Sequence, residues 1–263
     1  MAATKTELAS WYDHPQYYDM AFREDTALEA TFVEAAARKY CDFPVRRIVE
    51  PACGSGRLVV ELASRGYQMI GLDLSEPALK YLRQRLARRK LKAEMLHADM
   101  TAFELDRPAD AACCLLNSFR HLLTEVAARS HLESVARNLQ PGGLYLLGLH
   151  LVPPDADPFS IERWTVQQGA TQVFTDLRVV ASDRRRRIEK MRVSLRVRRG
   201  ENFWRFRSEF DLRLYTAAQI RRLFASVPQF ELCEVYDFWY EIDEPQELNN
   251  EISDTVFVLR KRK

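Results

Sequence analysis

The sequence predicts an α/β protein: a doubly wound, mostly parallel seven-stranded sheet with an antiparallel β insertion after its fifth strand. Three observations lead there. Short apolar runs alternate with amphipathic ones from residue 46 to 152, the grammar of crossover units on a parallel sheet. From residue 162 to 215 the pattern changes to alternation of apolar and charged residues, as on a sheet with one solvated face. The first pattern then returns, so residues 1–263 are read as one domain with an insertion.

The elements follow in order. Residues 1–45, which include "WYDHPQYYDMAF", are expected to form an N-terminal helical lid. Residues 46–152 are expected to form the core. "RRIVE" is its first strand, and "RLVVELASRG" a helix that Gly66 stops. After the strand "YQMIGLDLS", Ser75 can cap a helix with Glu76 and Pro77 in its first turn and Leu79, Leu82 and Leu86 on its buried stripe. "KAEMLHADM" and "DAACCLLNS" read as strands and "TEVAARSHLESVARNLQ" as a helix, which Pro141, Gly142 and Gly143 end before the strand "GGLYLLGLHLV".

Residues 162–215 read as four strands with "SDRRRR" and "RRGEN" as hairpin tips. Met191, Val193, Leu195 and Val197 alternate there with Lys190, Arg192, Arg196 and Arg198; Trp204, Phe206, Phe210, Leu212 and Leu214 alternate with Arg205, Arg207, Glu209, Asp211 and Arg213. Residues 216–263 supply the helix "TAAQIRRLFASV" and the strands "ELCEVYDFWY" and "SDTVFVLRKR" that complete the sheet.

Composition excludes several classes. The 39 basic and 37 acidic residues nearly cancel, so the balance gives no global attraction to nucleic acid or membrane. Five cysteines, odd in number and without metal-ligand spacing, read as buried thiols in a reducing compartment, and no metal site is expected. "MAATKTELAS" has no apolar signal core and no window approaches 18 apolar residues, so a cytoplasmic protein is expected.

The turn "EPACGSGRL" carries the chemistry. A dinucleotide fold wants a third glycine where this chain has Val59, and a phosphate-binding Walker loop wants Lys then Ser or Thr where it has Arg57 and Leu58. The turn instead resembles the first motif of class I S-adenosylmethionine methyltransferases, in which an acidic residue ends the first strand and Glu/Asp-x-Gly-x-Gly-x-Gly follows. Glu50, Ala52, Gly54 and Gly56 take those places, with Ala52 replacing the first glycine.

Three more stations follow in register. Asp73 ends the second strand, where a carboxylate can accept both ribose hydroxyls. Asp99 and Met100 in "LHADM" match the place where the family binds adenine, and "CLLNS" the place that flanks the methyl donor. The resemblance thus implies a Rossmann-like methyltransferase sheet, S-adenosyl-L-methionine as cofactor, and a cofactor set of Tyr12, Glu50, Ala52, Cys53, Gly54, Gly56, Asp73, Leu74, Asp99, Met100, Leu116 and Asn117.

With its amino-terminal segment, "HADM", "NSFRHL" and the insertion, the chain is similar to small-molecule members that include aminosugar N,N-dimethyltransferases and glycine N-methyltransferases. That likeness implies Tyr18 and His121 beside the acceptor. His14, His97, His131 and His150 have no partner pattern and are read as structural.

The acceptor is expected to be a small molecule, amine or hydroxyl, reached by in-line displacement. "LNSFR" replaces the Asn/Asp-Pro-Pro-Tyr/Phe of adenine and glutamine methyltransferases, which argues against planar-nitrogen acceptors. One alternative is an RNA or protein methyltransferase docking through the ten basic residues between Arg178 and Arg199. Against nucleic acid, those cations alternate with core residues, and Glu201, Glu209 and Asp211 can neutralise them across strands. A non-catalytic S-adenosylmethionine-binding module is the other alternative. A homo-oligomer stays open.

Overall fold

The computed structural model describes residues 5–7 and 11–263. Most of "MAATKTELAS", on which the signal-core reading rests, lies outside the described residues. In chain order the elements are β1 (Lys5–Glu7), α1 (Pro15–Ala21), α2 (Thr26–Tyr40), β2 (Arg47–Pro51), α3 (Arg57–Ser64), β3 (Gln68–Asp73), α4 (Glu76–Arg89) and β4 (Glu94–His97). Then come β5 (Ala109–Cys114), α5 (Glu125–Asn138), β6 (Leu139–His150), β7 (Ile161–Gln168), β8 (Thr171–Asp183), β9 (Ile188–Arg199), β10 (Asn202–Arg213), α6 (Ala217–Ala225), β11 (Phe230–Tyr236) and β12 (Asp254–Lys261).

Seven strands form one sheet in the order β11-β12-β6-β5-β2-β3-β4. The pairs among β2 to β6 are parallel, and β12 runs antiparallel to both β6 and β11. Side chains of one strand point to opposite faces, and both faces are covered. Val49, Ile70, Ala112 and Tyr145 pack under α5 and α6, while Ile48, Met69, Ala111 and Leu144 pack under α2, α3 and α4. This is the doubly wound, Rossmann-like sheet the sequence predicts.

Local signals act as expected at most boundaries. The Ser75 hydroxyl accepts from the Ala78 amide at the start of α4, and Gly66, at φ +96°, turns the chain beyond α3. The PGG segment is different: α5 ends at Asn138, and β6 begins at Leu139 and runs through Gly142 and Gly143. The reason is a close approach of β5, whose Asp110 carbonyl would lie 2.8 Å from a Cβ at Gly143.

The insertion is a second sheet, β7 to β10 in antiparallel sequence, with β1 added in parallel beside β10. The β1 strand is not anticipated by the sequence. The apolar face packs Val173, Val193, Leu195, Val197 and Phe206 on Trp11, with Tyr12, Tyr18 and Phe22 alongside. On the outer face Lys190 meets Asp211 at 2.8 Å, Arg192 meets Glu209 at 2.8 Å, and Arg163 and Arg178 share Asp176.

Arg213 breaks the expected alternation. It is buried in the seam between the sheets, donating to the Leu123 carbonyl and to Glu125 at 2.8 Å. Beside it the buried Arg120 donates to the Arg213 carbonyl at 2.8 Å and to Glu189 at 2.5 Å.

Among the described residues no helix is long and apolar enough to cross a membrane. None of them form a group of three or more side chains able to hold a metal ion.

Candidate active site

A cavity of about 730 Å³ opens at the carboxyl ends of β2, β3, β4 and β5, where open α/β sheets bind their ligands. Its floor is the glycine turn. Ala52, Gly54 and Gly56 all have left-handed backbones, at φ 55°, 52° and 66°, and the turn is closed by the Cys53 amide on the Leu72 carbonyl and the Gly56 amide on the Cys53 carbonyl. Ala52 is thus an L residue in a conformation that favours glycine.

The two glycines do different work. A Cβ at Gly54 would meet nothing within 4 Å, whereas a Cβ at Gly56 would lie 2.3 Å from Leu82 Cδ1. Gly54 leaves room on the cavity side. Gly56 lets α4 pack against the turn, and it does not line the cavity.

Asp73, at the end of β3, is held rigidly by main-chain donors. Its Oδ2 accepts from the Gly54 amide and its Oδ1 from the Ser75 amide, each at 2.8 Å. Each carboxylate oxygen keeps a free lone pair for a ligand hydroxyl.

Glu50, at the end of β2, is 8% exposed, and its buried Oε2 makes no hydrogen bond among the described residues. Burial pushes its pKa up to about 8, opposed by the Arg57 guanidinium and assisted by Glu29. Arg57 is itself buried, paired with Glu29 at 2.5 Å and Thr26 at 2.8 Å. Glu50 borders the cavity as a buried acid beside the Arg57 guanidinium, and such a carboxyl is a ready partner for a cationic group.

The remaining walls come from the strand ends. Leu74, Ala98, Met100 and His97 line one side, with His97 Nε2 hydrogen-bonded to the Leu74 carbonyl at 3.0 Å. Leu115, Leu116 and Ser118 line the other. Leu116 and Asn117 are successive left-handed residues, at φ 55° and 64°, and the turn is braced by Asn117 Oδ1, which accepts from the His150 amide at 2.7 Å.

The mouth is aromatic. Tyr12 Oη lies 2.9 Å from His121 Nε2, Tyr18 packs on Tyr12 and Trp11, and Phe210 of the second sheet packs on Tyr12 and His121. His121 keeps an exposed edge at the cavity, and the neighbouring protein that partly desolvates its ring, with the Arg120 charge, lowers its pKa to about 4. Burial likewise raises Tyr18 to about 12 and Tyr12 still further. The three are neutral at physiological pH.

Eleven of the fourteen residues singled out in the sequence therefore border one cavity: Tyr12, Tyr18, Glu50, Ala52, Cys53, Gly54, Asp73, Leu74, Met100, Leu116 and His121. Gly56, Asp99 and Asn117 do not border it. Asp99 is exposed, its Oδ1 accepting from the Thr101 amide and hydroxyl at 2.8 Å. Arg57 and His97 are among the lining residues that sequence reasoning passed over. The signal for Arg57 is a charge inside the apolar run "RLVVELA".

Residues 48–143 match a family model described as a methyltransferase domain. Over 161 residues the chain is 28% identical to the dTDP-3-amino-3,6-dideoxy-alpha-D-glucopyranose N,N-dimethyltransferase of Streptomyces fradiae, covering 60% of this chain and 61% of that protein. The chain spans roughly half the length of the curated relatives it matches, from 42% to 61% for the first three. In fold, it superposes on an S-adenosylmethionine-dependent methyltransferase from Clostridium acetobutylicum with a TM-score of 0.79 at 18% identity, over 96% of this chain and 99% of that one. DesVI of Streptomyces venezuelae superposes with a TM-score of 0.78 at 19% identity, over 98% and 100%.

Proposed function

We propose, from the premise that residues 48–143 are a methyltransferase domain within a chain of class I S-adenosylmethionine-dependent methyltransferase fold, that the protein moves a methyl group from S-adenosylmethionine to a small-molecule amine. One observation carries this reading: Gly54, Asp73 and Glu50 border one cavity, with the Asp73 carboxylate anchored on the Gly54 amide.

The residues fit that cofactor. The main-chain-anchored Asp73 carboxylate suits the two ribose hydroxyls, and open space at Gly54 lets the ligand approach the backbone. The Glu50 carboxyl suits the cationic methionyl end, Ala98 and Met100 an adenine ring, and Leu115 and Leu116 the donor end. The cofactor supplies a methyl group already activated on a sulfonium.

The protein's task is then alignment and water exclusion. Tyr12, Tyr18, His121 and Phe210 form an aromatic, uncharged mouth. In such surroundings an amine is favoured in its neutral, nucleophilic form. Neutral His121 can accept an N–H and point the nitrogen lone pair inward. The Streptomyces fradiae relative is named for an amino sugar, which supports an amine acceptor over a hydroxyl.

Calorimetry with S-adenosylmethionine, followed by a methyl-transfer screen over amines, hydroxyl compounds, sugar nucleotides and RNA, tests the reading. Donor binding with turnover only on RNA would favour docking through the second sheet, against which stand the carboxylate partners of Lys190, Arg192, Arg163 and Arg178. Donor binding with no turnover would favour a binding module.

A further inference from the structure

We infer that His131, with Ser134 and Asn138, is a positioning residue for the cofactor: one polar face of α5 holds the loop after β4 in the shape that makes one wall of the donor site. This rests on the proposed binding of S-adenosylmethionine.

The three residues stand at positions i, i+3 and i+7 of α5, on one face of a helix. All are buried, at 0%, 0% and 7% exposure. In a helix whose inward side is otherwise apolar, burying three polar groups costs free energy unless each is bonded. All three are spent on one loop.

His131 Nδ1 lies 2.9 Å from the Met100 carbonyl. The Ser134 hydroxyl bonds both the amide and the carbonyl of Phe103, at 3.2 and 3.3 Å. Asn138 donates to the Phe103 carbonyl and accepts from the Leu105 amide, each at 2.8 Å.

The protonation of His131 follows from its partners. A carbonyl only accepts, so Nδ1 carries the hydrogen. Burial lowers the pKa to about 4, so the ring is neutral and Nε2 accepts from the Tyr145 hydroxyl at 2.6 Å. Both nitrogens are satisfied in a single tautomer. Tyr145 in turn lies against the Cys114 thiol at the end of β5. The chain of contacts therefore joins the strand leading to Leu115 and Leu116 with the loop of Ala98 and Met100, two opposite walls of the cavity.

Main-chain support for the loop is sparse: the Ala98 amide donates to the Asp73 carbonyl at 3.2 Å and the Ala102 amide to the Asp99 carbonyl at 3.1 Å. β4 is four residues long and lies at the edge of its sheet, with no strand on its outer side among the described residues. Asp99 is spent on the local turn to Thr101. Removing the His131 bond to Met100 frees the lining backbone without touching any lining side chain.

Three variants separate positioning from bulk stability. His131→Leu loses both bonds, Tyr145→Phe loses only the bond to Nε2, and His131→Asn keeps an N–H near the place of Nδ1 to donate to Met100. Each should lower the melting temperature. Only His131→Leu should weaken S-adenosylmethionine binding, by about tenfold or more in calorimetry, with the other two within about threefold of the parent. His131→Leu should also speed hydrogen exchange at the Thr101 and Phe103 amides.

Parental affinity in a folded His131→Leu protein overturns the inference. So does an equal loss in all three variants that simply follows their melting temperatures. A parent protein that binds no S-adenosylmethionine overturns the functional reading instead, and unchanged exchange at Thr101 and Phe103 in His131→Leu would then separately refute the holding of the loop.

Discussion

The Asp73 carboxylate and the Gly54 amide are bonded at 2.8 Å, tying the end of one parallel strand to the turn after its neighbour. The same side chain that faces the ligand therefore shapes the backbone the ligand rests on.

Asp73→Asn should weaken S-adenosylmethionine binding by at least about tenfold, because an amide offers one acceptor oxygen where two amides now bond, and a charge-assisted bond contributes about 1.5–3 kcal/mol. Stability should fall by about 1–3 kcal/mol for the buried donor left unpaired. Calorimetry and denaturant unfolding on one protein preparation measure both. Undiminished donor affinity would remove Asp73 from the site.

Gly54→Ala and Gly56→Ala should fail differently. The first meets open space in the protein, so the chain stays folded at a cost of about 1 kcal/mol for the left-handed backbone, while donor binding is lost to the added methyl group. The second drives a Cβ into Leu82, an overpacking that costs about 1–3 kcal/mol. Gly56→Ala combined with Leu82→Ala should relieve the clash and leave the cost of the cavity and of the left-handed backbone. Thermal unfolding beside binding titrations checks the contrast.

Glu50 makes donor binding dependent on pH. With its pKa near 8 in the free protein, the carboxyl is mostly protonated at pH 7 and must ionise to meet a cation. Affinity should rise as pH increases from 6 to 8, by up to tenfold per pH unit, and level above. Arg57, Glu29 and Asp73 face the same group, so the profile belongs to the cluster. Glu50→Gln should flatten it.

The same shift affects stability in the opposite sense. The unfolded chain ionises Glu50 near pH 4.5 and the folded one near 8, so the folded state binds the extra proton between them. Stability without ligand from this group is full below about pH 4.5 and is lost as pH rises through 8.

Tyr18→Phe and His121→Ala should lower turnover by about 10- to 100-fold while leaving donor affinity nearly unchanged, since alignment supplies most of the rate. With its pKa near 4, His121 should give no inflection in the rate between pH 6 and 9. Abolished turnover with intact donor binding would make one of the pair an obligatory base. Lost donor binding would move that residue to the donor side.

Much of this architecture is legible in the sequence because burial writes itself as periodicity. The β9 and β10 strands show a period of two, and the crossover helices announce themselves through caps such as Ser75. The donor side is legible because glycine and acidic residues at strand ends are hard to disguise. What escapes is the inward polar residue. Arg57, His131, Ser134, Asn138 and Arg213 look like surface residues until the partners are seen, and those partners lie far away in the chain. The three residues of β1 are too short to show a period. Gly56, Asp99 and Asn117 mark the right turns, yet in the structure they brace those turns and do not border the cavity.

The aromatic mouth has a consequence for the order in which the molecule can be completed. The Tyr12–His121 bond spans 109 residues of chain, and the Trp164 donation to the Ala21 carbonyl spans 143. During synthesis Trp11, Tyr12 and Tyr18 emerge before the sheet that shelters them, which is complete only with β7 to β10. Until then these rings lack that cover, a window in which apolar segments aggregate. Their long-range contacts form after the nearby crossovers, so the parallel core can be assembled in a nascent chain whose aromatic mouth does not yet exist.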